Sequence, residues 1–145
     1  MKIVICGSST FREKMLEYRD RLKDLGHEPV VHHHYEAYVA GTDEAIKEIV
    51  RRVKSGEHAA VKKEQGYIKW YHQAILNSDA ILVLNFDKNG IKNYIGGNTL
   101  MEIGFAHVND KKVFLLNPIP GEVSYVDEIE AMVDNILEDN LNNII

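Results

Sequence analysis

Glu102 is the residue with the most chemistry within reach. It lies in Gly96-Gly97-Asn98-Thr99-Leu100-Met101-Glu102-Ile103-Gly104, where two glycines free the backbone at the start of a helix. A carboxylate near a helix N-terminus is stabilised as an anion. Once ionised and positioned, it can attack an anomeric carbon or stabilise the oxocarbenium-like charge that develops there. The same residues support a second reading. Thr99-x-x-Glu102 has the spacing of a capping box, in which Glu102 satisfies a backbone N–H and nothing more. Asn98 and Thr99 would then cap rather than bind, and Gly96 and Gly97 would only shape the turn.

Other residues carry weaker signals. Gly7-Ser8-Ser9-Thr10 offers hydroxyls and free N–H groups at a helix start, suited to phosphate or sugar oxygens. It is neither a P-loop nor a dinucleotide fingerprint, because no second glycine and no lysine follow. Thr10 and Glu13 also have capping-box spacing. Asn85 and Asn117 each end an apolar run, where an amide can bind a ribose hydroxyl or a base edge, or simply start a turn. His32-His33-His34 invites a metal. On an extended strand, however, successive side chains alternate faces and cannot converge on one ion. The expectation is therefore no metal site, with one of these histidines, or Tyr35 or Tyr38, left to line a pocket. Trp70 and Tyr71 are expected in core or subunit packing.

The elements that must position these residues follow from patterning. Lys2 to Cys6, Ala80 to Phe86 and Lys112 to Leu116 are short apolar runs, read as strands buried on both faces. A helix with Met15, Tyr18, Leu22 and Leu25 on one face follows the first strand and stops at Gly26. A second strand covers His27 to Val31. Asp43 to Val53 has helical periodicity, whereas Lys62 to Gly66 reads as a solvated helix end or a mobile loop. The stretch from His32 to Gly66 is thus either a lid or part of the sheet's cover. Further helices are expected over about Tyr67–Asn77, Thr99–Asn109 and Tyr125–Val133, with a last short strand at Ile136-Leu137. Alternating strands and helices without hairpin turns predict one α/β domain over 1–145. That domain is doubly wound, with about five parallel strands and helices on both faces. Its ligand site belongs beyond the carboxyl ends of the strands.

Asp79 to Leu84, the Gly-rich loop and Thr99-Leu100-Met101-Glu102-Ile103-Gly104-Phe105-Ala106 together resemble the nucleoside 2-deoxyribosyltransferase family. That family includes the deoxynucleoside 5′-monophosphate N-glycosidases. Ile3-Val4-Ile5-Cys6-Gly7-Ser8-Ser9 is similar to its first strand and loop. The resemblance leaves out His32 to Lys63. It implies that Glu102 is a nucleophile toward the N-glycosidic carbon of a nucleoside or its 5′-monophosphate. It further implies that the residues around Glu102 hold the substrate, and that the protein is a homo-oligomer, most simply a dimer. The family's transferases often have an acidic residue six positions before the nucleophile, and its monophosphate hydrolases tend to have serine. Here that position is Gly96, which tilts the reading toward hydrolysis. Many members also have an aspartate that serves in protonating the leaving base. Here its place is Tyr71, beside His72, and His72 is the candidate general acid. The alternative is a nucleotide-binding sensor of the same fold without turnover.

Composition bounds these readings. The chain has 145 residues, of which 17 are Lys or Arg and 22 Asp or Glu, for a net charge of −5. An acidic balance argues against nucleic acid as a partner, since phosphate contacts need a basic surface. One cysteine allows no internal disulfide and fits a reducing compartment. No apolar run approaches the roughly 20 residues needed to span a bilayer, and the opening apolar run is too short for a signal peptide. The expectation is a cytoplasmic protein with a small-molecule ligand, needing no cofactor.

Overall fold

The computed structural model describes residues 1–145. Five strands form one parallel sheet in the order β2-β1-β3-β4-β5. They are β1 (Lys2–Cys6), β2 (Glu28–Val30), β3 (Ala80–Val83), β4 (Lys112–Leu115) and β5 (Asn135–Ile136). The three central strands are almost entirely buried, as parallel strands covered on both faces must be. Side-chain alternation divides the core in two. Ile3, Ile5, Leu82 and Phe114 face α1 (Arg12–Asp24), through Met15, Tyr18 and Leu22, and the C-terminal Leu137, Leu141 and Ile144. Val4, Cys6, Ile81, Val83, Val113 and Leu115 face α5 (Tyr67–Leu76), α6 (Gly97–Val108) and α7 (Val126–Met132). The predicted doubly wound α/β domain is the observed fold.

From β1 the chain moves one way to β2, then crosses back to β3. The loops after β1 and β3 therefore diverge and open a crevice between them, where this strand order places ligands. Gly7 makes that point possible. Its φ is +151°, and a Cβ there would stand 2.9 Å from the Leu84 carbonyl oxygen.

Between β2 and α5 lie three helices: α2 (His33–Ala40), α3 (Glu44–Lys54) and α4 (His58–Gln65). The α3 helix follows the predicted periodicity and is capped by Asp43, whose carboxylate accepts from the Ala45 and Ile46 amides at 3.0 and 3.2 Å. The run from Lys62 to Gln65 is the regular end of α4, not a loop.

Four local expectations are corrected. The histidine triplet is not on a strand, because β2 ends at Val30 and His32 is the N-cap of α2, its Nδ1 accepting from the His34 amide at 3.1 Å. Thr10 and Glu13 form no capping box. A 3-10 turn over Ser9–Phe11 intervenes, and Ser8 takes the capping role through the Thr10 amide. Thr99 does not cap α6 either, since that helix starts two residues earlier at Gly97, after Gly96. Finally, Asn85 and Asn117 are committed to each other. The Asn85 side chain donates to the Asn117 and Pro118 carbonyls at 2.9 and 3.0 Å and accepts from the Asn117 amide at 2.9 Å, and Asn117 Nδ2 donates to the Asn85 carbonyl at 3.2 Å. Their amides fasten the ends of β3 and β4 together, leaving the Asn85 amide no group free for a ligand.

Candidate active site

A cavity of about 910 Å³ opens at the carboxyl ends of β1 and β3. Its floor is the Gly7–Thr10 loop and the first turns of α6, and its walls come from α2 to α5. Of the residues singled out in the sequence, Gly7, Ser8, Ser9, Gly96, Gly97, Asn98, Thr99 and Glu102 all line it. Asn85, Asn117 and His72 do not. The His72 ring is not in the lining; it lies edge-on to Phe105, centroids 5.0 Å apart.

Glu102 is one turn into α6, on the inner face with Thr99, Ile103 and Ala106. It is 7% exposed, and no backbone N–H bonds to its carboxyl, so the capping reading fails on geometry. The expectation of an anion held by the helix terminus fails as well. Burial pushes the Glu102 carboxyl up to about 8, with the Cys6 thiol opposing this in part. The helix dipole acts within the first turn, and Glu102 lies beyond it.

Three weak acids surround this carboxyl. Burial, then the neighbouring Glu102, pushes the Cys6 thiol well above its ordinary range. Burial raises Tyr35 to about 12 and holds Tyr71 well above the usual tyrosine value. The Tyr71 hydroxyl is buried beside Tyr35 but makes no hydrogen bond of normal length and angle to any group. A buried hydroxyl without a partner is costly, and this one lies in the wall that Glu102 shares. Sequence reading assigned Tyr71 to packing.

The rest of the lining mixes apolar side chains from α3 to α6 with aromatic and cationic ones. Arg12, Lys54, Lys62 and Lys88 face the cavity. Lys88 Nζ donates to Ser8 Oγ at 2.8 Å and lies 5.1 Å over the Tyr94 ring. Arg12 stacks 4.5 Å over Tyr38. None of the four lies within ion-pair distance of a carboxylate, and Glu102 is the one acidic residue of the lining. On a chain of net charge −5 this local excess of positive charge favours an anionic ligand. At Gly96 a Cβ would stand 2.6 Å from the Tyr94 hydroxyl, so any side chain there requires the Tyr94 ring to move.

The histidine triplet also reaches the cavity, through His32 and His34. One ring nitrogen of each histidine lies within 4.8 Å of the others, so the strand-alternation argument against a shared ion does not apply. Protonation state decides here. His32 is held uncharged, its pKa lowered to about 4 by burial and then by His34 and His33. Its Nδ1 accepts an amide proton, so the neutral ring carries its own proton on Nε2. His34 Nδ1 pairs with the Tyr67 hydroxyl at 2.7 Å. As arranged, the triplet does not present three free lone pairs.

No family model and no curated protein matches this chain. Among solved structures the chain is similar to the Clostridium botulinum CMP N-glycosidase BcmB, with a TM-score of 0.49 and 13% identity over 94% of this chain and 88% of that one.

Proposed function

We propose that the protein cleaves the N-glycosidic bond of a nucleoside or, preferentially, its 5′-monophosphate, with Glu102 as the nucleophile and water as the acceptor. One observation carries the reading. Glu102 is a carboxyl buried in the floor of the cavity at the strand ends, and no cap or ion pair explains it. The motif around it and its similarity to the nucleoside 2-deoxyribosyltransferase pattern support the same role. In the ionised form Glu102 attacks C1′. The C1′–N bond breaks, its electron pair leaves with the base, and the base takes a proton from solvent. Water then attacks C1′ of the glycosyl-enzyme, the C1′–O bond to Glu102 breaks, the water's proton returns to solvent, and the sugar and the carboxylate are released. Once Glu102 ionises, the Tyr71 hydroxyl, buried in the same wall without a bonded partner, turns to donate to the carboxylate, which offsets part of the desolvation. The cationic wall binds the 5′-phosphate. The same reading has the protein acting as a two-fold dimer in the cytoplasm.

The test is base release from a panel of purine and pyrimidine nucleosides, deoxy and ribo, and their 5′-monophosphates, followed by chromatography. Release should favour monophosphates and be lost in Glu102→Ala, and kcat/KM should rise with pH through about 8, where Glu102 ionises. Release that requires an added second base would mean transfer rather than hydrolysis.

The elevated Glu102 pKa also favours a second reading, a nucleotide-binding module whose carboxyl stays protonated as a hydrogen-bond donor. Glutamine mimics that form. Full nucleotide binding by Glu102→Gln, with no base release by the native protein, would establish it.

A further inference from the structure

Residues 42–65 form a unit set apart from the sheet. Within it, Arg52 joins α3 to α4, bonding Glu64 through two nitrogens at 2.7 and 3.1 Å and Glu57 at 3.2 Å. Ile46 and Val61 are buried, but neither belongs to the two clusters that flank the sheet. They line the cavity instead, with Ile49, Val50 and Val53 of the same α3 stripe. The principal neighbours of α3 and α4 outside the unit are α2 and α5, the helices that they adjoin in the chain. A glycine in the left-handed region stands at each end: Gly41 at φ +68° and Gly66 at φ +63°, with no atom within 4 Å of a Cβ built at either. A stapled hairpin between two uncrowded glycines, resting on a cavity rather than on the core, can turn as one body.

The unit carries Lys62 toward Lys88. Both line the cavity, and neither has a carboxylate partner. Lys88 is held by Ser8, its Nζ donating to Ser8 Oγ at 2.8 Å. Two ammonium groups from distant parts of the chain, brought into one cavity without a counter-ion, repel each other until an anion joins them.

We propose that residues 42–65 are a lid turning about Gly41 and Gly66, and that Lys62 on this lid completes, with Lys88 and Ser8, a clamp for a phosphate ester on the ligand. Lys62 becomes a specificity residue, since the lid closes on a phosphorylated ligand and stays open on the bare nucleoside. The inference rests on the nucleotide-site reading above but not on turnover. It is therefore tested in Glu102→Gln, which leaves any ligand intact.

Amide hydrogen exchange over 42–65 and ligand affinity are measured with each nucleoside and its 5′-monophosphate. The expected result is at least a fivefold slowing of exchange across the segment by monophosphates, with little change by nucleosides. Lys62→Ala should remove the slowing and weaken monophosphate binding about tenfold, the scale of one charge-assisted hydrogen bond. It should leave nucleoside affinity unchanged, and Lys62→Arg should restore the slowing. If no monophosphate slows exchange over 42–65, or if Lys62→Ala weakens nucleosides and monophosphates alike, the lid is overturned. Absence of base release by the native protein, with protection intact, would count against glycosidic chemistry and leave the lid standing.

Discussion

At Glu102 two opposing effects can be sized. A carboxylate in the first turn of a helix gains about 0.3–1 kcal/mol from the dipole, an upper bound for Glu102, which lies beyond that turn. Moving its pKa from 4.5 to about 8 corresponds to roughly 5 kcal/mol between its protonation states. Burial therefore decides, and the folded protein keeps the proton. The consequence for stability has a definite sign. Below pH 4.5 both folded and unfolded chains hold the proton, so burial of this group costs nothing extra. Between 4.5 and 8 the unfolded chain alone ionises, and stability is lost as pH rises through this window. Glu102→Gln removes the titration. It should match the native protein in urea unfolding at pH 4, below the window, and exceed it by a few kcal/mol at pH 8. An equal difference at both pH values would show that the carboxyl is not desolvated. Glu102 and its floor of glycines were legible in the sequence, because type, spacing and strand-end position meet in one short stretch. Tyr35 was legible as a pocket-lining candidate, but its meeting with Tyr71 and Cys6 around the carboxyl was not. The three reach the carboxyl from α2, α5 and β1, and only the fold brings such separated residues together.

The strands were legible as elements because burial on both faces writes itself as unbroken apolar runs such as Ile3-Val4-Ile5-Cys6 and Ile81-Leu82-Val83-Leu84. Segment 32–66 was not, although Ile46, Ile49, Val50 and Val53 repeat at helical spacing. Periodicity shows that a helix has an apolar face, not whether that face meets a sheet or a cavity. The strand-end asparagines were misread for a related reason. An amide at the site end of a strand looks the same whether it serves a ligand or the neighbouring loop. Here Asn85 is fully buried and its bonds tie the β3 loop to the β4 loop. Asn85→Ala would strand two carbonyls and one amide, at about 1–3 kcal/mol for each that finds no water. Thermal unfolding should show a loss of several degrees, while a nucleotide that binds the folded variant should keep its affinity within about twofold. Lost affinity with unchanged stability would return Asn85 to the ligand.

For the molecule as a whole, the apolar surface left over after the core is formed is where the proposed dimer would form. On the outer faces of α5 and α6, Ile68, Met101 and Val108 are 42%, 40% and 73% exposed. His72 and Phe105 stack between them. Residues 68 and 72, and 101, 105 and 108, are spaced to share a face on their helices, and α5 and α6 lie side by side. The patch is therefore continuous, and large apolar patches on soluble proteins mark contact surfaces. It also runs to the site, because Ile68, Met101 and Phe105 line the cavity. A two-fold partner seated here would wall the open side of the cavity as it buried the patch, making dimerisation and ligand binding mutually favourable. Sedimentation should give twice the 16.5 kDa chain mass at micromolar concentration. Val108→Glu should give the single-chain mass with the fold intact, because Val108 takes no part in either core. Val108 does not line the cavity, so weaker nucleotide binding in that variant would report the missing partner. A monomeric native protein would leave the cavity walled by one chain alone.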